Sequence, residues 1–287
     1  MRLGLVADPS RRASRWAASH LYAGSFSLSD TAGRGLHTAE RVSRGAAGLA
    51  GAEAEPRRVW VEDWRIEQAG DSGLVLEVRS IDDDVSLRVQ LRSEKALVDE
   101  NAVRDRGTAQ NPPFHFYLQP RMRLEGILRA GDNEWPVEGM VSMEHAWGEL
   151  PLPGGPVAVD RFTLHLDDGR DLLLSRTHRV NGGGSPRTTA LLIDESGGAR
   201  ALGGDEVSLN PTGYWESDST GTRYPVRWSL RIPSLGIELA LFPYREDQAG
   251  MTWLPFWAGA VQIDRPSAAA EQAGSGFVQL TGYETNE

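Results

Sequence analysis

The chain has 287 residues, a formal net charge of −10 from 40 acidic against 30 basic residues, and no cysteine. The length suits one large β domain or two of about 140 residues, long enough to bury a core without staples. The composition excludes disulfides, thiolate metal sites and a cysteine nucleophile, and the acidic surplus argues against a nucleic-acid partner, whose phosphates need neutralising.

The N-terminal stretch "MRLGLVADPSRRASRW" has too short an apolar run for a signal peptide. No run approaches the ~18 apolar residues of a membrane span. The expectation is a soluble, cytoplasmic protein. Helical signal is confined to "RASRWAASHLY" at 12–22, enough for a turn or two.

From there the hydrophobic period is two. Leu74, Leu76 and Val78 alternate, the chain turns at Asp82-Asp83-Asp84, and Val85, Leu87, Val89 and Leu91 resume, which reads as a hairpin. Residues 94–113 form a long connection between strands. Met122, Leu124, Gly126 and Leu128 alternate up to a turn at "AGDN". Beyond it Trp135, Val137, Gly139, Val141, Met143, His145 and Trp147 share one face, and Pro136, Glu138, Met140, Ser142, Glu144 and Ala146 the other. "PLPGGP" at 151–156 cannot continue a central strand and marks a boundary between domains 1–150 and 151–287.

In the second half, 162–180 reads as a hairpin with a tight primed turn at Asp168-Gly169. Residues 226–242 read as another, turning at "PSLG"; "SGGARALGGDE" at 196–206 is a hairpin end; "SAAAEQAGSG" at 267–276 is a loop before a final strand, "FVQLTGY". Many short strands at regular spacing make the fold all-β, a sandwich or barrel.

No phosphate-binding glycine loop, G-x-S-x-G elbow or metal-ligand spacing among the six histidines is present, so no cofactor and no metal is expected. Attention falls on "VEGMVSMEHAWGEL" at 137–150. If the alternation holds, His145 lies on the apolar face with Val137, Val141 and Met143, and Glu144 points the other way. An imidazole in an apolar barrel is neutral and able to give or take a proton; the alternative is a buried His satisfied by one hydrogen bond. Arg176, in mid-strand, is either a buried cation facing a polar ligand group or half of a rim ion pair. Tyr117, Trp257 and Tyr283 either line a cavity or pack.

Several segments together resemble one family. "LYAGSFSLSD", "AERVSRGAAGLAGAEAEPRRVWVEDW", "VEGMVSMEHAWG", "DRFTLHLDDGRDLLLSRTHR", "YWESDSTGTRYPVRWSLRIPSLGIEL", "FWAGAV" and "FVQLTGY" follow in order, over nearly the whole chain, the pattern of the AttH-like family, which includes carotenoid 1,2-hydratases and lipocalin-like Diels–Alderases. The resemblance implies two lipocalin-like antiparallel β-barrel domains in tandem, with an apolar ligand pocket. The family's opening strand is missing from the pattern, so the first barrel is expected to be incomplete or to be completed by other means. Departures are several. Glu144 stands for the family's Asp, Ala146, Ala258 and Gln279 each for a Glu, and Arg161 for a Trp.

Hydrating an alkene requires an acid to protonate carbon, and the lost carboxylates weaken that reading. A pericyclic cyclisation requires a shaped apolar pocket and a hydrogen-bond donor for a carbonyl. The expectation is a cyclase of Diels–Alder type on a large apolar polyene or polyketide intermediate. His145, Arg176 or Tyr117 would polarise a carbonyl, and Trp147, Trp253, Trp257 and Tyr283 would line the pocket. The alternatives are a hydratase-like lyase with Glu144 as its acid, and a non-catalytic carrier of hydrophobic small molecules.

Overall fold

The computed structural model describes residues 2–7, 20–32, 35–71, 73–99, 115–147, 157–180, 183–251, 255–266 and 271–283. The chain is all-β and divides into two compact units. One comprises Met1–Glu94 and Met122–Val141, the other Lys95–Arg121 and Ser142–Glu287. The stretch 151–156, read as a linker, lies outside the described residues. Among them no helix is long and apolar enough to cross a membrane.

The first unit opens with a three-stranded antiparallel sheet of β1 (Arg2–Ala7), β2 (His20–Ser29) and β3 (Leu36–Arg44). One expectation differs here. His20–Tyr22, given to a helical turn, start β2, and Arg2–Ala7 pairs along β2 from Arg2 opposite Ser25 to Ala7 opposite His20. A second sheet starts with β4 (Ala50–Ala54) at its edge, followed by β5 (Arg57–Val61), β6 (Trp64–Ala69), β7 (Gly73–Ser80) and β8 (Val85–Ser93), each of these four paired with the strand before it. Phe26 of β2 packs edge-on to the fully buried Trp64 with ring centroids 6.3 Å apart, and Val78 and Val85 complete this core.

After β9 (Val98–Asp99), β10 (His115–Ala130) and β11 (Asn133–Trp147) form a long hairpin shared by the units. Met122–Ala130 pairs with β8, whereas Tyr117 and Leu118 pair with β9. β11 is the end strand of its sheet.

The second unit is a curled antiparallel sheet of β12 (Val157–Leu166), β13 (Asp171–Arg179), β14 (Arg187–Ile193), β15 (Ala199–Leu202), β16 (Ser208–Glu216), β17 (Arg223–Ile232), β18 (Ile237–Pro243), β19 (Ala249–Met251), β20 (Pro255–Arg265) and β21 (Glu271–Thr281). Its order is β15-β14-β13-β12-β21-β20-β18-β17-β16, with β19 added on β20. Strict alternation of burial along β12 sends Ala158, Asp160, Phe162, Leu164 and Leu166 inward. Phe162, Leu164 and Leu166 meet Leu172, Leu174, Trp228, Leu230, Trp257 and Val278 in one large core.

The β12–β13 turn is a three-residue loop, with Leu166 N–H bonded to the Arg170 carbonyl and Gly169 at φ 81°, in place of the expected two-residue primed turn. β21 starts at Glu271, six residues before the expected strand. Its glycines serve close approach: a Cβ on Gly276 would lie 2.6 Å from the Thr163 carbonyl oxygen of β12. The run Leu172–Leu174 is buried on both faces because Phe116 and Leu118 of β10, with Val98, cover Leu173, Leu191 and Ile193 on the outside of the sheet.

Candidate functional site

The outer face of the second sheet carries a cross-strand row. Arg161 of β12 is opposite Ser175 of β13 on one side and Gln279 of β21 on the other, and Gln279 is opposite Ala258 of β20. Neighbouring strands run about 4.8 Å apart, so the row is contiguous. Arg161 Nη2 lies 2.7 Å from Glu144 Oε2. Four of the five family positions at which this sequence departs therefore meet in space: 161, 279 and 258 lie side by side, and 144 is bonded to 161.

Tyr117 alternates with Phe116 and Leu118, which face the second sheet, so its ring points away from that sheet. There it meets His145, edge-on with centroids 4.8 Å apart, and Trp147 at 5.8 Å; His145 and Trp147 are 4.9 Å apart. Sequence alternation had put His145 on an apolar inner face. Instead Glu144, His145 and Trp147 all lie on an exposed stretch of β11, because that strand is the end of its sheet. Desolvation by its aromatic neighbours still holds the His145 imidazole below its ordinary pKa.

Arg176 and Tyr283 are elsewhere. The Asp160 carboxylate, fully buried inside the second unit, accepts from Arg176 Nη1 at 2.8 Å and from the Tyr283 hydroxyl at 2.5 Å. Arg176 also lies over the Trp228 ring at 5.5 Å, and His178 Nε2 is 3.2 Å from the Tyr283 oxygen. Burial pushes the Asp160 carboxyl above its usual range, and the bonds from Tyr283 and Arg176 offset this only in part. Burial and the neighbouring Asp160 push the Tyr283 phenol upward as well. These groups satisfy one another around the fully buried Asp160, with Arg176, His178 and Tyr283 partly buried. Trp257 is also interior: fully buried, it donates from Nε1 to the Glu246 carbonyl at 2.6 Å and fills core. Trp253 lies outside the described residues.

A second buried carboxylate, Asp171, sits on the outer side of the sheet. It takes Lys95 Nζ at 2.7 Å, Arg121 Nη2 at 2.8 Å and His165 Nδ1 at 2.7 Å. Burial pushes it up, but the bonds from His165, Lys95 and Arg121 outweigh burial and hold it below the usual carboxylate range. Lys95 also donates to the Gly169 and Asp194 carbonyls, fastening the Lys95–Arg121 segment to this sheet. A depression of about 280 Å³, lined in part by Leu166, Arg170, Ile237 and Leu239, lies at the turn end of β12. Leu166 is six residues along the strand from Asp160, about 20 Å. Among the described residues no cluster of three His, Asp or Glu is suited to a metal.

Asp160, Arg161, His178 and Gln279 were not picked out as site residues from the sequence. Their signal was in the register. Counting outward from Leu166 and Arg170 at the base of the loop sets Asp160 opposite Arg176.

A family model for AttH-like proteins matches residues 2–283. The chain belongs to the AttH-like family. Among solved structures, this AttH-like chain is similar to a protein assigned as AttH from Nitrosomonas europaea, at 25% identity and a TM-score of 0.78, covering 95% of this chain and 84% of that one. It is also similar in fold to kievitone hydratase from Nectria haematococca, at 16% identity and a TM-score of 0.66, over 93% and 80% of the two chains. A comparison with curated protein sequences gives no match. The two sheet-rich units are thus those of an AttH-like fold.

Proposed function

We propose that this AttH-like chain binds a large apolar polyene or polyketide intermediate and cyclises it by a pericyclic, Diels–Alder-type reaction. The observation that carries the reading is the state of the Arg161 row. Where the family pattern has carboxylates, this chain has Ala258 and Gln279, and its remaining carboxylate, Glu144, is engaged by Arg161 at 2.7 Å. Such a row offers no free acid to protonate an alkene carbon.

A cycloaddition makes its new carbon–carbon bonds from π electrons within the substrate, and no proton need leave or enter. What accelerates it is restriction of the chain to the reactive conformer, worth up to roughly 7–11 kcal/mol in well-oriented intramolecular cases. Polarisation of a carbonyl by a hydrogen-bond donor adds to this. Tyr117, His145 and Trp147 supply an aromatic wall for a conjugated chain. The neutral imidazole of His145 and the phenol of Tyr117 supply donors.

The test is accurate-mass comparison of small molecules from cells with and without the gene. A substrate that accumulates on deletion at the same mass as the missing product supports cyclisation. A missing product heavier by one water supports hydration, the activity named for the Nectria protein, and refutes the cyclase. Unchanged small molecules also refute it and favour a carrier.

A further inference from the structure

We infer that the Arg161–Glu144 pair is a head-group site that accepts a neutral carbonyl and rejects a carboxylate. The inference rests on the reading of an apolar ligand, and names what its polar end must be.

The guanidinium presents five N–H donors in a planar fork. Glu144 closes on one end of it at Nη2, and 41% of the Arg161 side chain remains open to solvent. A carbonyl oxygen can accept from the donors left over without disturbing the ion pair, and a charged donor makes that bond stronger than a neutral one. A ligand carboxylate at the same fork would stand within a few ångströms of Glu144. Repulsion from Glu144 cancels most of the guanidinium's attraction for that carboxylate, which still gives up its hydration, and the balance costs the acid roughly tenfold in affinity. Glu144 thus acts as the selective element and Arg161 as the donor.

The row next to Arg161 suits the rest of such a ligand. Thr163, Phe277 and Ala260 are cross-strand neighbours on the same outer face. Phe277 is 48% exposed with no charged residue in its row. An apolar chain laid from Arg161 along β12 and β21 would cover it. The ligand class is therefore an ester, amide, ketone or aldehyde on an apolar chain, and not a free fatty or polyenoic acid.

Three probes share one polyene body and differ at the head: methyl retinoate, retinol and retinoic acid. Each is titrated into the purified full chain at pH 8, where the acid is ionised, and followed by quenching of tryptophan fluorescence. The wild type is expected to bind the ester about tenfold more tightly than the acid, with retinol between them. Glu144→Gln leaves an unpaired guanidinium and should reverse that order, because a carboxylate then takes the fork bidentately. Arg161→Gln should bring ester and acid to within about twofold in either background. Both side chains are partly exposed, and unchanged circular dichroism and melting confirm that the variants fold.

Equal binding of ester and acid by the wild type overturns the proposal, as does an unchanged order in Glu144→Gln. If no probe quenches, the apolar-ligand reading falls along with it. If the probes discriminate as stated but the mass comparison shows no isomer, the head-group site stands and the cyclase reading falls alone.

Discussion

Two carboxylates fully buried in the same hairpin, Asp160 and Asp171, should respond in opposite ways to the same change. Asp171→Asn removes the anion from between Lys95, 5% exposed, and Arg121, 14% exposed. Uncompensating a buried pair costs about 3–5 kcal/mol. Lys95 keeps two carbonyl acceptors at 2.5 and 2.8 Å, which favours the lower end. For a unit of this size that is a fall in Tm of roughly 6–20 °C. Its pH dependence follows from the depressed carboxyl. The stabilisation is present above the unfolded value of 3.8 and is lost as pH falls through the lower folded value. The gap between wild type and variant should close in that acid window.

Asp160 has the reverse sign. Its folded carboxyl is raised, so the folded state holds its proton longer than the unfolded chain does. Wild-type stability from this group declines as pH rises from 3.8 through the folded value. The cost of Asp160→Asn should shrink over that interval and be smaller at pH 7 than that of Asp171→Asn, since Asn still accepts from Tyr283 and Arg176. Urea unfolding of the three proteins from pH 3 to 8 measures both slopes. Parallel slopes for the two variants, or a loss under 1 kcal/mol for Asp171→Asn at pH 7, would refute the reasoning.

Three further outcomes are expected. Trp257→Phe gives up the bond to the Glu246 carbonyl and leaves a void in a fully buried site, a loss of about 2–3 kcal/mol readable as a lower urea midpoint with unchanged slope. Gly276→Val drives side-chain atoms into the Thr163 carbonyl and the Leu164 Cδ2 methyl, 2.6 and 2.7 Å from a Cβ, and should lower stability by about 3 kcal/mol; near wild-type melting would show that the β12–β21 seam can give. Because the His145 imidazole is held below its ordinary 6.5 and an imidazolium donates more strongly than an imidazole, binding that uses it as a donor to a carbonyl should tighten on acidification with a midpoint below pH 6.5. A midpoint at or above 6.5 in methyl retinoate titrations speaks against that role.

The period of two made the all-β class and most strands legible, since alternation is imposed by the pleat wherever one face is buried. It failed where burial is not one-sided. β11 alternates like a half-buried strand, but as the end of its sheet it leaves Glu144, His145 and Trp147 exposed together. β1 carries a run too short to separate from loop. The glycines of 267–276 read as loop because sequence shows small size and not the neighbour that requires it. Reading 162–180 as the hairpin cut off Asp160, two residues before its start, and so hid the partner of Arg176. The Arg161–Glu144 contact joins positions 17 apart on strands not adjacent in hydrogen bonding. Only the paired departures from the family pattern hinted at it.

The clasp around Asp171 also imposes a timetable on synthesis. Lys95 leaves the ribosome 76 residues before the carboxylate it must meet, and Arg121 leaves 50 before. At about 5–20 residues per second the Lys95 ammonium waits roughly 4–15 s for its anion. Phe116 and Leu118 wait about as long, since their seat includes Leu191 and Ile193. Nascent chains stalled between residues 121 and 190 should therefore be the ones that chaperones hold and proteases cut, and release should follow once β14 has been made.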